Sequence, residues 1–152
     1  MNKKLLRIAH LDAKLQVFQA PAKLTPPSTG WIKAIRITLG MSLRQLGKKL
    51  MITKQSMQEM EQREIDGSIT IRALNEVARV MDMKLVYGFV PLDNSLDALL
   101  ERKSKEIATK IVMRTSQSMV LEDQENSKER IEKSIVERAE EIKTDLSKIL
   151  WE

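Results

Sequence analysis

The chain has 152 residues, a formal net charge of +5 and no cysteine, which excludes disulfides, thiolate metal sites and cysteine nucleophiles. Hydrophobic residues make up 42 % of the sequence and aromatic residues only 3 %, so helices packed on aliphatic side chains are favoured over a β-sandwich. No apolar run approaches the roughly 20 residues of a membrane span, and we expect a cytoplasmic protein.

Charge is unevenly distributed along the chain. Residues 1–120 carry 20 Lys/Arg and 11 Asp/Glu, whereas residues 121–152 carry 6 and 10. A basic body with an acidic tail is typical of a polyanion-binding protein whose tail faces away or meets a protein partner. Ordinary scatter of surface charge would give similar numbers, so the charge alone does not decide between the two.

The apolar periodicity predicts a mainly α fold in three parts. An N-terminal helix and a Pro-rich linker occupy residues 1–29, and four short helices with one short strand occupy residues 30–91. A C-terminal helical hairpin occupies residues 92–152 and is predicted to be a dimer or partner surface. The strand, over residues 83–91, needs a partner edge, which a second copy in a homodimer would supply.

The stretch from residue 42 to residue 64 predicts two short helices joined by a tight turn. Ser42 is expected to cap the first helix and Thr53 the second. Two helices so joined form a helix-turn-helix, whose second helix enters the major groove of DNA. An ordinary amphipathic helix in a small bundle is the alternative for the second helix, and the full set of four helices favours DNA binding.

Candidate DNA contacts follow from residue type and position. Short polar and cationic side chains at the start of the second helix suit base edges, and those of the first helix suit phosphates. The candidates for base readout are Thr53, Lys54, Gln55, Ser56 and Gln58. The candidates for phosphate contact are Ser42, Arg44, Lys48 and Lys49.

Residues 31–81 resemble the lambda-repressor/Cro-like helix-turn-helix domain. The stretches LGMSLRQL and ITKQSM, which begin at Leu39 and Ile52, carry the resemblance. It implies an ion pair between Arg36 of the first helix and Glu61 at the end of the third, and the partly buried pair would fix helix register more than it adds stability.

Three positions depart from that family, and one of them is Leu43, where the family often has a glutamine that binds phosphate. Met51 stands where the family usually has a glycine in a left-handed helix cap. A methionine would adopt that conformation at a cost of roughly 1 kcal/mol. Gly47 stands where the family favours alanine, which loosens the helix by about 0.5–1 kcal/mol.

Over most of its length the chain resembles the bacterial family called mobile mystery protein A, on the segments GWIKAIRITLGMSLRQLGKKL and ITIRALNEVARVMDMKLVYGFVP. The resemblance implies a transcription regulator that autoregulates an operon shared with a Fic-domain partner, as in toxin–antitoxin pairs. The alternative is a protein-binding antitoxin that inhibits a Fic-domain enzyme through its helical C-terminal region. Ser118 and Glu122 resemble a Fic-inhibitory motif, from which Asp123 departs. The alternative interpretation of this segment is a polar break in the helix.

The sequence lacks the sets of residues that are typical of catalytic and metal sites. It holds no paired acids in an apolar context, no Gly-rich phosphate loop, no Ser/His/Asp set and no metal cluster. We therefore expect no enzyme, no cofactor and no metal, and double-stranded DNA as the partner of a homodimer.

Overall fold

The structure, a computed structural model, describes residues 2–120 and 128–152. Within these ranges the chain is mainly helical, which confirms the predicted fold class at that level. The α-helices are α1 (Lys3–Leu15), α2 (Trp31–Thr38), α3 (Leu43–Lys49), α4 (Lys54–Asp66), α5 (Ile71–Val80), α6 (Leu96–Val120) and α7 (Lys128–Asp145). Short 3-10 helices cover Gln16–Phe18, Pro21–Lys23 and Lys148–Trp151.

The chain divides into two compact units. Residues Lys23–Tyr87 form the four-helix unit, which contains α2 to α5. The described residues up to Ala22 and those from Gly88 onward form the hairpin unit. Residues 1–22 of the first predicted part thus lie in one unit with the third part, whereas residues 23–29 lie in the four-helix unit.

The four-helix unit is built around one small aliphatic core. Its buried members come from all four helices and the residue after α5: Ile32, Leu46, Met57, Val77 and Met81. Each helix contributes one of these buried side chains, partly buried aliphatic residues pack around them, and most charged residues lie on the outside. The core therefore holds four helices of 7 to 13 residues that would be marginal in isolation.

All four helices of this unit end in the same way. The first or second residue after each helix has a positive φ, and the N–H of the residue that follows it bonds back to the carbonyl five residues earlier, as in a Schellman motif. In α3, for example, the Ile52 N–H donates to the Gly47 carbonyl at 2.9 Å. The positive-φ residues are Gly40 (71°), Met51 (60°), Gly67 (76°) and Asp82 (57°).

The hairpin unit packs α1 against an antiparallel pair of long helices. Lys143 of α7 contacts the carboxylate of Asp97, at the start of α6, at 3.0 Å. Asp12 of α1 accepts hydrogen bonds from the backbone N–H groups of Leu96 at 2.6 Å and Asp97 at 3.2 Å. Because Asp12 caps α6 from another helix, α1 is tied to the C-terminal helices.

Two expectations about secondary structure are wrong for the single chain. No strand forms among the described residues, and residues 84–90 make no backbone–backbone hydrogen bond there. A strand needs a neighbouring edge, and the described parts of the two units supply none. Helix α6 also continues to Val120, beyond the break expected from Thr115, because Ile111 and its neighbours pack against α7.

Candidate nucleic-acid interface

Two capping hydroxyls set where α3 and α4 begin. The Ser42 Oγ accepts from the Gln45 N–H at 3.1 Å, and the Gln45 side chain accepts from the Ser42 N–H at 2.8 Å. The Thr53 hydroxyl accepts from the Ser56 N–H at 3.0 Å and donates to the Ser56 Oγ at 2.9 Å. Ser42 and Thr53, both predicted to contact DNA, thus already use their hydroxyls to fix the helix starts.

Gly47 lets α3 lie directly against the start of α4. A Cβ at this position would lie 3.0 Å from the Ile52 carbonyl oxygen, 3.2 Å from that of Thr53 and 3.5 Å from the Met57 Cβ. The first two distances are tighter than ordinary van der Waals contacts with backbone atoms that have little freedom to move. The helix stability that glycine costs here is therefore offset by close packing at the junction.

The inner side of α4 is held by a buried ion pair. Arg36 Nε lies 2.5 Å from Glu61 Oε1, and Arg36 Nη2 lies 3.2 Å from Glu61 Oε2. The remaining Arg36 nitrogen, Nη1, donates to the Met41 carbonyl at 3.0 Å. The pair that the resemblance implied is present, and it joins α2, the α2–α3 turn and α4 through one guanidinium.

A second acid on α4, which sequence reasoning missed, holds the start of α2. The Glu64 carboxylate accepts from the N–H groups of Trp31 at 2.9 Å and Ile32 at 2.8 Å. Gly30, the N-cap of α2, has φ 82° and no side chain to cap with. A Cβ on Gly30 would lie 2.7 Å from Glu64 Oε1. Two features of the sequence could have predicted this contact. Gly30 has no side chain to cap α2, and Glu64 lies one turn beyond Glu61 on the same helix face.

The predicted base-reading side chains lie on the opposite, outer side of α4. Met57, between them in sequence, is fully buried, so the helix has a distinct inner and outer side. The exposed residues in the first half of the helix are Lys54, Gln55, Ser56, Gln58 and Glu59, and Glu59 lies 4.0 Å from Arg63 of the same helix.

A shallow cleft at the α3–α4 junction brings predicted residues of both kinds together. Three cations, Arg44, Lys48 and Lys54, line it with Thr53 and Ser56. Met51 and Ile52 complete its lining. Lys49 instead borders a second cleft with Gln45 and Lys48, and Gln55 and Gln58 lie outside both. The predicted set is therefore spread over one continuous pair of helices rather than gathered in one pocket.

The electrostatics of this surface are dominated by cations. Among the described residues, Arg44, Lys48, Lys49 and Lys54 have no ion-pair partner. Neither α3 nor α4 has an acid in its first turn, and the N-terminus of α4 adds its own partial positive charge. Four unpaired cations beside a helix start attract anions and repel one another, so an anionic partner would relieve their repulsion.

The remaining predicted sites lie elsewhere. Ser118 is in the last turn of α6, but its side chain and all of Glu122 lie outside the described residues. In the described ranges no cluster of three acidic or histidine side chains could hold a metal ion. No helix in those ranges is both long and apolar enough to cross a bilayer.

Fold and site together define a mainly helical protein with one unit that presents a cationic surface bearing amide and hydroxyl groups. No protein-family model, no curated protein and no solved structure matches this chain.

Proposed function

We propose that the four-helix unit is a helix-turn-helix domain and that the protein is a sequence-specific, DNA-binding transcription regulator. The observation that carries the proposal is the contrast between the two sides of α4. Its inner side is fixed by Met57 and by the Arg36–Glu61 pair. Its outer side begins with exposed side chains that hydrogen-bond, flanked by unpaired cations. A rigid helix with such a start is what major-groove recognition requires.

The exposed residues suit two kinds of DNA contact. Gln55 and Gln58 have the paired donor and acceptor that match adenine, and Lys54 has the donor that matches the guanine acceptors. The Ser56 Oγ accepts a hydrogen bond from Thr53, so its own hydroxyl hydrogen remains available to donate to either base. Arg44, Lys48 and Lys49 would hold phosphates, which positions the helix without reading sequence.

The biological setting follows from symmetry and from the resemblance to mobile mystery protein A. A homodimer would place two copies of α4 in successive major grooves about 34–36 Å apart, so its sites would be nearly palindromic. The resemblance supports the promoter of its own operon, shared with a Fic-domain partner, as the target.

A mobility-shift experiment with the duplex upstream of that operon tests the proposal. The full chain should bind this duplex more tightly than a scrambled one. Replacement of Gln55 by Ala should weaken binding to the upstream duplex about tenfold, since one bidentate base contact is worth about 1–3 kcal/mol, and should barely change binding to the scrambled duplex.

Gln62 provides a matched control on the same helix. It is exposed, but its amide bonds to Asp66 in the second half of α4 at 3.0 Å, so Gln62→Ala should leave both affinities unchanged. Equal losses on both duplexes for Gln55→Ala would remove Gln55 from base readout. A chain that binds neither duplex would contradict the proposed function.

The acidic composition of residues 121–152 favours a second candidate, direct inhibition of a Fic-domain enzyme. The full chain with both Lys54 and Gln55 replaced by Ala separates the two functions during co-expression with that enzyme. Protection by this DNA-binding-deficient chain, and its loss on Glu122→Ala, would support direct inhibition. Protection that depends on Lys54 and Gln55 instead would contradict it.

A further inference from the structure

Met51 has a strained backbone conformation, a positive φ, and no contact in the described part of the chain compensates for the strain. Four non-glycine residues there have positive φ: Met51, Asp82, Asn94 and Leu146. Aspartate and asparagine tolerate this conformation because their short polar side chains bond locally. Leu146 is half-buried against the core of the hairpin unit, so burial compensates for its backbone. Met51 is 93 % exposed and has neither compensation.

Glycine takes the same position on two neighbouring helices. Gly40 ends α2 and Gly67 ends α4 with φ values of 71° and 76°, against 60° for Met51 at the end of α3. The hydrogen-bonded turn is also the same, since the N–H of the following residue bonds back five residues in each case. Glycine would therefore suit the fold at residue 51 better than methionine does. Backbone strain that the fold does not use points to a use outside it.

The location of Met51 indicates what that use is. Met51 is one of the residues that line the cleft at the α3–α4 junction, with Arg44, Lys48 and Lys54. It is a large, flexible, apolar group among cations, in the surface that the proposed function assigns to DNA. Methionine adapts its shape to irregular partners, and duplex DNA offers apolar carbon in the deoxyribose ring and in the thymine methyl group.

We propose that Met51 is a DNA contact residue that packs on the apolar carbon surface of the duplex while its cationic neighbours hold the phosphates. The inference rests on the proposed function and adds to it an apolar contact that charge and hydrogen bonding do not supply. Because the contact is apolar, it contributes to affinity without contributing to the release of counterions.

Fluorescence anisotropy of the full chain on the upstream duplex tests this inference. Met51→Gly and Met51→Ala should each bind about fivefold more weakly, which corresponds to about 1 kcal/mol, and Met51→Leu should stay within about twofold of wild type. The slope of log affinity against log salt should be the same for all four proteins, since no charge changes. Glycine and alanine should agree because the loss comes from the missing side chain rather than from the backbone.

A duplex with deoxyuridine in place of thymine separates the two carbon sources. If wild type loses affinity on that duplex and Met51→Ala does not, the contact is with a thymine methyl. If the wild type is indifferent and Met51→Ala is still about fivefold weaker than wild type, the contact is with deoxyribose. Either result supports the inference.

Two results would overturn it while leaving the proposed function intact. In the first, Met51→Gly and Met51→Ala both bind the upstream duplex as tightly as wild type does. In the second, Met51→Leu loses as much affinity as Met51→Gly does. A wild-type chain that binds no duplex at all would sink the proposed function, and this inference with it.

Discussion

At the scale of single residues, the Arg36–Glu61 pair decides how firmly α4 is held. Both side chains are more than nine-tenths buried, and Arg36 also satisfies the Met41 carbonyl. Burial of both ions costs much of what their attraction returns, so the pair specifies geometry more than it adds net stability. Removal of one partner is different, because it leaves the other charge buried and alone.

Glu61→Gln should lower the free energy of unfolding by about 3 kcal/mol, the lower end of the range for a broken buried pair. The double variant Arg36→Met with Glu61→Leu should return to within about 1 kcal/mol of wild type, because no buried charge remains. Urea unfolding measures both. Trp31 fluorescence, recorded with Trp151 replaced by Phe, confines the signal to the four-helix unit, since the chain has two tryptophans.

Glu76 supplies the surface control for this pair. It faces Arg72 at 3.7 Å, with side-chain exposures of 53 % and 90 %, and Glu76→Gln should change stability by less than about 0.5 kcal/mol. If Glu61→Gln were as mild as Glu76→Gln, the Arg36–Glu61 pair would contribute little to holding α4.

At the scale of elements, the four helices of the four-helix unit all end in a Schellman-type turn. The free-energy cost of that turn depends on which residue adopts the positive φ. Met51→Gly should raise the free energy of unfolding by about 1 kcal/mol, because glycine adopts this conformation without strain and the exposed methionine loses no packing. Thermal or urea unfolding by the same Trp31 signal measures the change.

Gly67 provides the reverse substitution at the end of α4. Its φ is 76° and a Cβ there would meet no atom within 4 Å, so Gly67→Ala tests the backbone alone and should lower stability by about 1 kcal/mol. Opposite signs for the two variants are expected. Destabilisation by Met51→Gly would mean that the methionine side chain already stabilises the free protein, which would also weaken the case for a DNA contact at this position.

At the scale of the whole molecule, one unit carries the entire net charge. Residues 23–87 contain 11 Lys/Arg and 6 Asp/Glu, which accounts for the full +5, and the rest of the chain contains 15 of each. The unit that holds the candidate interface is therefore the one that an anionic polymer would attract, and the hairpin unit is neutral in sum.

The salt dependence of DNA binding should follow this partition. Lys49→Ala should flatten the slope of log affinity against log salt by about 0.9, the contribution of one phosphate contact. Lys105→Ala removes another exposed cation, from α6 in the hairpin unit, and should leave the slope unchanged. Affinity measured over a range of salt concentrations compares the two, and equal flattening would place the duplex on both units.

What the sequence determined by itself is local. Helical periodicity and the capping residues Ser42 and Thr53 predicted α3 and α4 because the information lies within a few residues of each helix start. The outer face of α4 followed in the same way, since a buried residue at Met57 leaves its polar neighbours exposed. The Arg36–Glu61 pair needed the family resemblance as well, because its partners are 25 residues apart.

Only the tertiary structure decided the contacts between distant segments. Glu64 caps a helix 33 residues away, and Asp12 caps one 84 residues away. The segment over residues 83–91 has strand-like composition but finds no edge to pair with among residues 2–120 and 128–152, so it stays irregular. Composition and periodicity state what a segment tends to form, whereas a cap, a strand or a buried ion pair exists only where folding supplies the partner atom.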